Sequence, residues 1–124
     1  LIGGAIGSLV RLMVGVAIQQ RYGLGFPMGT LVINVSGSLL IGFLMRFVLD
    51  TTPVTPVMRA LLTTGFCGGY TTFSTFSYET VDLMRQGFYA RAGVYVASSV
   101  TLGLAATFVG FAAANGILAF ARGR

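Results

Sequence analysis

Three groups of polar residues stand inside an otherwise apolar chain, and their spacing limits what they can do. Thr30, Asn34 and Ser38 recur every four residues, which sets a hydroxyl, a carboxamide and a hydroxyl along one helix face. Tyr95, Ser99 and Thr107, with Gly103 between the last two, keep four-residue intervals and form a second polar track. Residues 65–76, GFCGGYTTFSTF, hold three glycines and five hydroxyl side chains within twelve positions. Uncharged groups of this kind suit interhelical hydrogen bonds or the wall of a polar path. An enzyme is disfavoured, because no nucleophile and base stand together and the sequence has no histidine. Glu79 and Asp82, three apart, share a face; with no histidine or metal cluster beside them, they read as solvated groups at a mouth or helix end. Cys67 is single, which excludes an internal disulfide, and it reads as a small apolar filler.

The GFCGGYTTFSTF stretch carries its own structural prediction. Glycine is costly in a helix and tolerates positive φ, so Gly68-Gly69 predicts a departure from helix. Thr71, Thr72, Ser74 and Thr75 offer hydroxyls to the backbone groups that a break leaves unpaired. Phe73 and Phe76, three apart, share a face where helix resumes. A broken helix at membrane depth is tolerated only where it is buried in protein or lines an aqueous cavity, which makes this segment a candidate site.

Composition defines the elements that must position these groups. Of 124 residues, 55% are hydrophobic and 9% charged, and mean hydropathy is +0.85; a soluble domain would carry roughly a quarter charged residues. The chain therefore reads as an all-α integral membrane protein, with length for four spans of about 20 residues each and no extramembrane domain. The spans fall at about residues 1–20, 28–49, 57–86 with a break near 67–72, and 89–120. Gly3 and Gly7 form a GxxxG, which permits close helix approach or dimerisation. Arg11, inside the first span, either faces protein or water or snorkels to an interface. QQRYGLGFP at residues 19–27 reads as a turn; Arg46 and Asp50, four apart, close the second span, and TTPVTP follows as a loop. The chain starts at Leu1 rather than Met, so further residues are expected before it, and no cleavable signal peptide is evident.

The net charge of +5 rests on arginines dispersed near helix ends rather than on one basic patch, which disfavours nucleic-acid binding. Arg46, Arg59, Arg122 and Arg124 fall on one side and Arg21, Arg85 and Arg91 on the other. So even a distribution sets no strong orientation. Two copies inserted in opposite directions would pair about a two-fold axis in the membrane plane.

GFCGGYTTFSTF, with GTLVINVSGS at residues 29–38 and the GGAIGSLVR opening, resembles the Fluc (CrcB) family of small fluoride channels over nearly the whole chain. The resemblance implies an antiparallel, dual-topology homodimer of four-helix subunits in the inner (plasma) membrane, with two pores and a central sodium ion. It also implies passive export of fluoride from the cytoplasm, relieving fluoride toxicity. Carried onto this sequence, it makes Asn34 a polar pore residue, Phe73 and Phe76 the aromatic pair facing the anion, and Tyr95 and Ser99 part of the fourth-span track. The backbone carbonyls of Gly68 and Thr71, from both subunits, would hold the sodium. The sequence departs from the family where Leu12, in place of a tyrosine, follows Arg11, and where Gly103 interrupts the fourth-span track.

The chemistry of fluoride suits these residues. The ion is small and strongly hydrated, so a pore must replace its water with close donors, which Asn34 and the hydroxyls of Thr30, Thr75 and Ser99 supply. The edge of a phenylalanine ring is the positive end of its quadrupole, so Phe73 and Phe76 can meet an anion edge-on and set a width that disfavours chloride. Carbonyls freed at a helix break form an oxygen cage, and a cation there raises the potential felt by a passing anion. A rival reading, a small dual-topology proton-coupled exporter, needs a carboxylate near the membrane midplane, and the first, second and fourth spans have none. A purely structural or regulatory membrane peptide would need no aligned polar tracks.

Overall fold

A computed structural model describes residues 1–23, 25–51 and 55–123, with backbone alone for residues 48–51. Leu24 of the first turn, residues 52–54 of the TTPVTP loop, the Asp50 side chain paired above with Arg46, and Arg124 lie outside the described residues. All regular structure among the described residues is helical: α1 (Ile2–Tyr22), α2 (Met28–Thr51), α3 (residues 56–70), α4 (Phe73–Arg85) and α5 (Tyr89–Arg122). By length and composition α1, the Met28–Phe47 part of α2, and α5 are each able to cross a membrane. At about 1.5 Å per residue, neither α3 nor α4 alone reaches across a hydrocarbon core of about 30 Å. In tandem they have the length, so the described residues hold four units long enough to cross, the third in two halves.

Local signals explain most boundaries. Gly23 ends α1 at φ +79°, where a side chain would be strained, and its N–H returns to Gln19 O. Thr55 caps α3 by accepting from Met58 N at 3.1 Å, and Pro56 takes the first helical position, where its missing N–H costs nothing. Within α3, residues Leu61–Cys67 form a π-helical stretch before α-helix returns over Gly68–Tyr70. Helix then stops for two extended residues, Thr71 (φ −81°, ψ 159°) and Thr72 (φ −150°, ψ 114°), and α4 begins. The break lies inside the stretch the sequence marks, but not at the glycines: Gly68 is helical at φ −64°, ψ −36°.

The glycines serve packing instead. A Cβ added at Gly69 would come 2.6 Å from Gly4 O, and one at Gly3 would come 2.5 Å from Leu61 O. One at Gly7 would collide with Phe66 O. The Gly3/Gly7 motif is therefore filled by α3 of the same chain, and the expectation that it could serve dimerisation is corrected. Gly42 and Gly110 play the same part between α2 and α5, meeting the carbonyls of Thr107 and Leu39. Small residues let helix backbones approach where lipid supplies no hydrophobic drive for association. A buried cluster of Leu31, Leu83, Ala92 and Tyr95, flanked by Phe26 and Phe76, sits where α2, α4 and α5 meet.

Gly110→Ala should lower the thermal unfolding midpoint of the purified protein, corresponding to about 1–3 kcal/mol of overpacking. Gly116→Ala, with nothing within 4 Å of its added Cβ, should leave it unchanged or slightly raised. Equal midpoints for the two variants would contradict the close α2–α5 packing.

Candidate functional site

The two extended residues would leave backbone groups unpaired, and Asn34 meets them. Its Nδ2 donates to Thr72 O at 3.1 Å while its Oδ1 accepts from Thr72 N at 2.8 Å, so one carboxamide pairs with a residue as a neighbouring strand would. The Thr72 hydroxyl accepts from Thr75 N at 3.2 Å and donates to Thr75 Oγ1 at 3.0 Å, capping α4. Thr71 Oγ1 donates to Cys67 O at 2.9 Å, and the hydroxyls of Ser36 and Tyr70 bond at 2.8 Å. These bonds divert two amides. In a continuous helix Thr72 N–H would close on Gly68 O and Thr75 N–H on Thr71 O; here they turn to Asn34 and to the Thr72 hydroxyl.

A second polar cluster forms on the α4 face that carries Thr72 and Thr75. Glu79 Oε1 accepts from Thr30 Oγ1 at 2.6 Å and from the Tyr95 hydroxyl at 3.3 Å. Tyr95 is fully buried and Thr30 nearly so. Glu79 is half-buried in mid-helix, lines the larger of two cavities and is bonded within the protein; of the expectation of a solvated group at a mouth or helix end, the helix end is corrected. Its position was readable: it follows Thr75 by four residues and Thr72 by seven, on one face. The pairing with Asp82 drew attention away from that face, whereas Asp82 itself accepts from Gln86 Nε2 at 2.7 Å.

These residues border two cavities. The larger, about 510 Å³, has Arg11, Gln19, Thr30, Thr75, Glu79 and Arg91 in its wall. Arg11 thus faces a cavity rather than lipid alone. The smaller, about 280 Å³, is lined by Asn34, Ser38, Thr71, Phe73, Phe76 and Ser99, and Thr72 belongs to both. The pore residues expected from sequence are thereby divided: Thr30 and Thr75 in the larger space, Asn34, Phe73, Phe76 and Ser99 in the smaller. Tyr95 lines neither cavity but touches one residue of each, its ring 5.1 Å from Phe76 and its hydroxyl on Glu79. Phe73 and Phe76 are 5.8 Å apart at 44°, neither stacked nor perpendicular. Ser99 Oγ is buried without a hydrogen-bond partner. Farther along that track Thr107 Oγ1 donates to Ser38 O at 3.3 Å, and Gly103 leaves room for Ser38.

Gly68 and Thr71 are two of the four residues, with Gly69 and Tyr70, whose carbonyls would accept from residues 72–75 in a continuous helix and lose those donors at the break. Among the described residues no group of acidic, histidine or cysteine side chains could hold a metal. The arrangement as a whole offers neutral donors, ring edges and a carboxylate in the walls of two cavities that share Thr72.

Comparison with known proteins gives a consistent result. The family described as "CrcB-like protein, Camphor Resistance (CrcB)" matches residues 1–111. A protein of Chlorobaculum tepidum named "Fluoride-specific ion channel FluC" is 51% identical over 108 residues, covering 87% of this chain and 85% of its own. Proteins of the same name from Aquifex aeolicus (43% over 110 residues, 89% of each chain) and Rhizobium meliloti (46% over 110 residues, 89% of this chain and 88% of its own) are also similar.

Replacing Thr72 by valine should remove the α4 cap and lower stability by about 1 kcal/mol, read as a reduced unfolding midpoint. Thr72→Ser, which keeps the hydroxyl, should retain most of it. An equal loss in both variants would show that the hydroxyl is not what holds the start of α4.

Proposed function

The chain belongs to the CrcB-like family, and on that footing we propose that it is a fluoride-selective passive channel of the cell's inner membrane, relieving fluoride toxicity by export. The observation that carries this reading is the smaller cavity. It brings Asn34, the Phe73 and Phe76 rings and the unpartnered Ser99 hydroxyl together at the helix break. A dehydrated anion needs close donors and no competing negative charge, and this cavity has donors and ring edges but no carboxylate. Thr75 extends the hydroxyl path toward the larger cavity, where Arg11 and Arg91 offset the Glu79 carboxylate that engages the Thr30 and Tyr95 hydroxyls and meet an arriving ion.

The active unit is an antiparallel dual-topology homodimer with two pores. Support comes from the break itself: Phe73 is 78% exposed in the single chain, and Ser74 and Thr75 beside it are exposed too. Polar backbone at membrane depth is tolerated only against protein or water, and a second copy packed on this face would supply the protein. A sodium ion at the dimer centre would be held by the Gly68 and Thr71 carbonyls of both subunits; its charge would strengthen the local field for an anion. The half-buried Glu79 is the one observation that favours the rival, a proton-coupled exporter, since it supplies a carboxylate between hydroxyls.

Purified protein in liposomes separates the two. Fluoride-loaded vesicles should release fluoride rapidly down its gradient, with no proton gradient required, while chloride-loaded vesicles release little. Phe76→Ile and Asn34→Asp should each slow fluoride release about tenfold, the equivalent of one lost donor or packing contact, with the dimer still assembled. Unchanged release in both variants would remove these residues from the pore; movement only under a proton gradient would establish the exporter instead.

A further inference from the structure

Arg91, in the first turn of α5, has no part in the polar tracks, yet it joins two turns at the rim of the larger cavity. Its Nη1 donates to Gly25 O at 3.2 Å, reaching the α1–α2 turn, and its guanidinium lies 4.4 Å from the centre of the Phe88 ring, in the α4–α5 turn. A planar guanidinium can stack on a ring and donate in its own plane at once. The next residue after Gly25 is Phe26, whose ring meets Tyr95 edge-on at 5.6 Å and 84°. Tyr95 in turn touches Phe76 and donates to Glu79. Contacts therefore run from Arg91 through Gly25 and Phe26 to the tyrosine that touches a lining residue of each cavity.

We propose that Arg91 is a positioning residue for permeation: by fastening the α1–α2 turn to the start of α5, it seats Phe26 against Tyr95 and so fixes the tyrosine hydroxyl on Glu79. The proposal rests on the channel reading above for its bearing on fluoride, but its geometric content does not. The turn needs such a fastening. Gly25 brings no side chain and Gly23 sits at positive φ; the carbonyls of Phe26 and Pro27 are taken up by Met28 and Leu31 of α2, and that of Gly25 by Arg91. The alternative role for an arginine at a cavity rim is to attract anions by charge alone. The two roles differ in what restores them: Arg91 lies one turn before Tyr95 on α5, so loss of its charge also reaches that ring, and only a clasp is kept in part by an uncharged donor to Gly25 O.

The intact protein labelled with 3-fluorotyrosine provides the test, with the position 95 resonance identified by its loss in Tyr95→Phe. Arg91→Ala should shift that ¹⁹F resonance in the same direction as Phe26→Leu and slow fluoride efflux about tenfold. Arg91→Gln, which keeps a donor for Gly25 O but no charge, should fall between Arg91→Ala and the parent in both readouts. The double variant Arg91→Ala/Phe26→Leu should be no slower than the worse single, since both act through one contact. A position 95 resonance unmoved in Arg91→Ala and Arg91→Gln overturns the proposal, whatever the efflux. A shifted resonance in a protein that moves no fluoride would uphold the clasp and sink the channel reading.

Discussion

The bond pair between the Asn34 carboxamide and the backbone of Thr72 is the constraint on which the rest of the site depends. A backbone N–H and C=O stripped of partners in an apolar medium cost several kcal/mol. Two extended residues between α3 and α4 create that problem, and one side chain from α2 answers it at 3.1 and 2.8 Å. Everything downstream follows from where this pairing puts the chain. It ends α3 at Tyr70, leaves the Thr72 hydroxyl to cap α4, and turns the Thr75–Glu79 face of α4 toward Thr30 and Tyr95. It also takes Thr72 N–H away from Gly68 O, which leaves that carbonyl without its helical donor.

That bond can form only because the helices lie unusually close. Gly3, Gly7 and Gly69 set α1 against α3, and Gly42 and Gly110 set α2 against α5, each where a Cβ would meet backbone. The glycines act as spacers of zero length, and the polar residues occupy the gaps between these contacts. Close backbone approach and hydrogen bonding have separate roles. The first fixes helix positions without help from lipid, and the second fixes the register of the broken helix within them. The result is a polar path whose donors are already oriented.

Much of this was legible in the sequence, and particular residues show why the rest was not. Four-residue spacing correctly aligned Thr30, Asn34 and Ser38: the first two side chains bond to α4 and to the break, and Ser38 lines the smaller cavity beside Asn34. The GFCGGYTTFSTF stretch marked the break. Its glycines pointed to the wrong residues within it, because the same lack of a side chain that permits strained backbone also permits close packing, and only tertiary contacts separate the two uses. Glu79 was misread because its i−4 and i−7 neighbours, Thr75 and Thr72, mattered more than its i+3 neighbour Asp82. The Gly3/Gly7 motif said that something packs closely there without saying what. Phe26 and Arg91 gave no signal, since their contacts join turns that are 66 residues apart in the chain.

The carboxamide pairing is most directly tested by amide hydrogen exchange of the purified protein, read at Thr72. If Asn34 holds the break, the Thr72 N–H exchanges as slowly as amides in the middle of α2, although it lies outside any helix. Exchange at the rate of an unprotected loop amide would contradict the pairing and, with it, the hold of α2 on the broken helix.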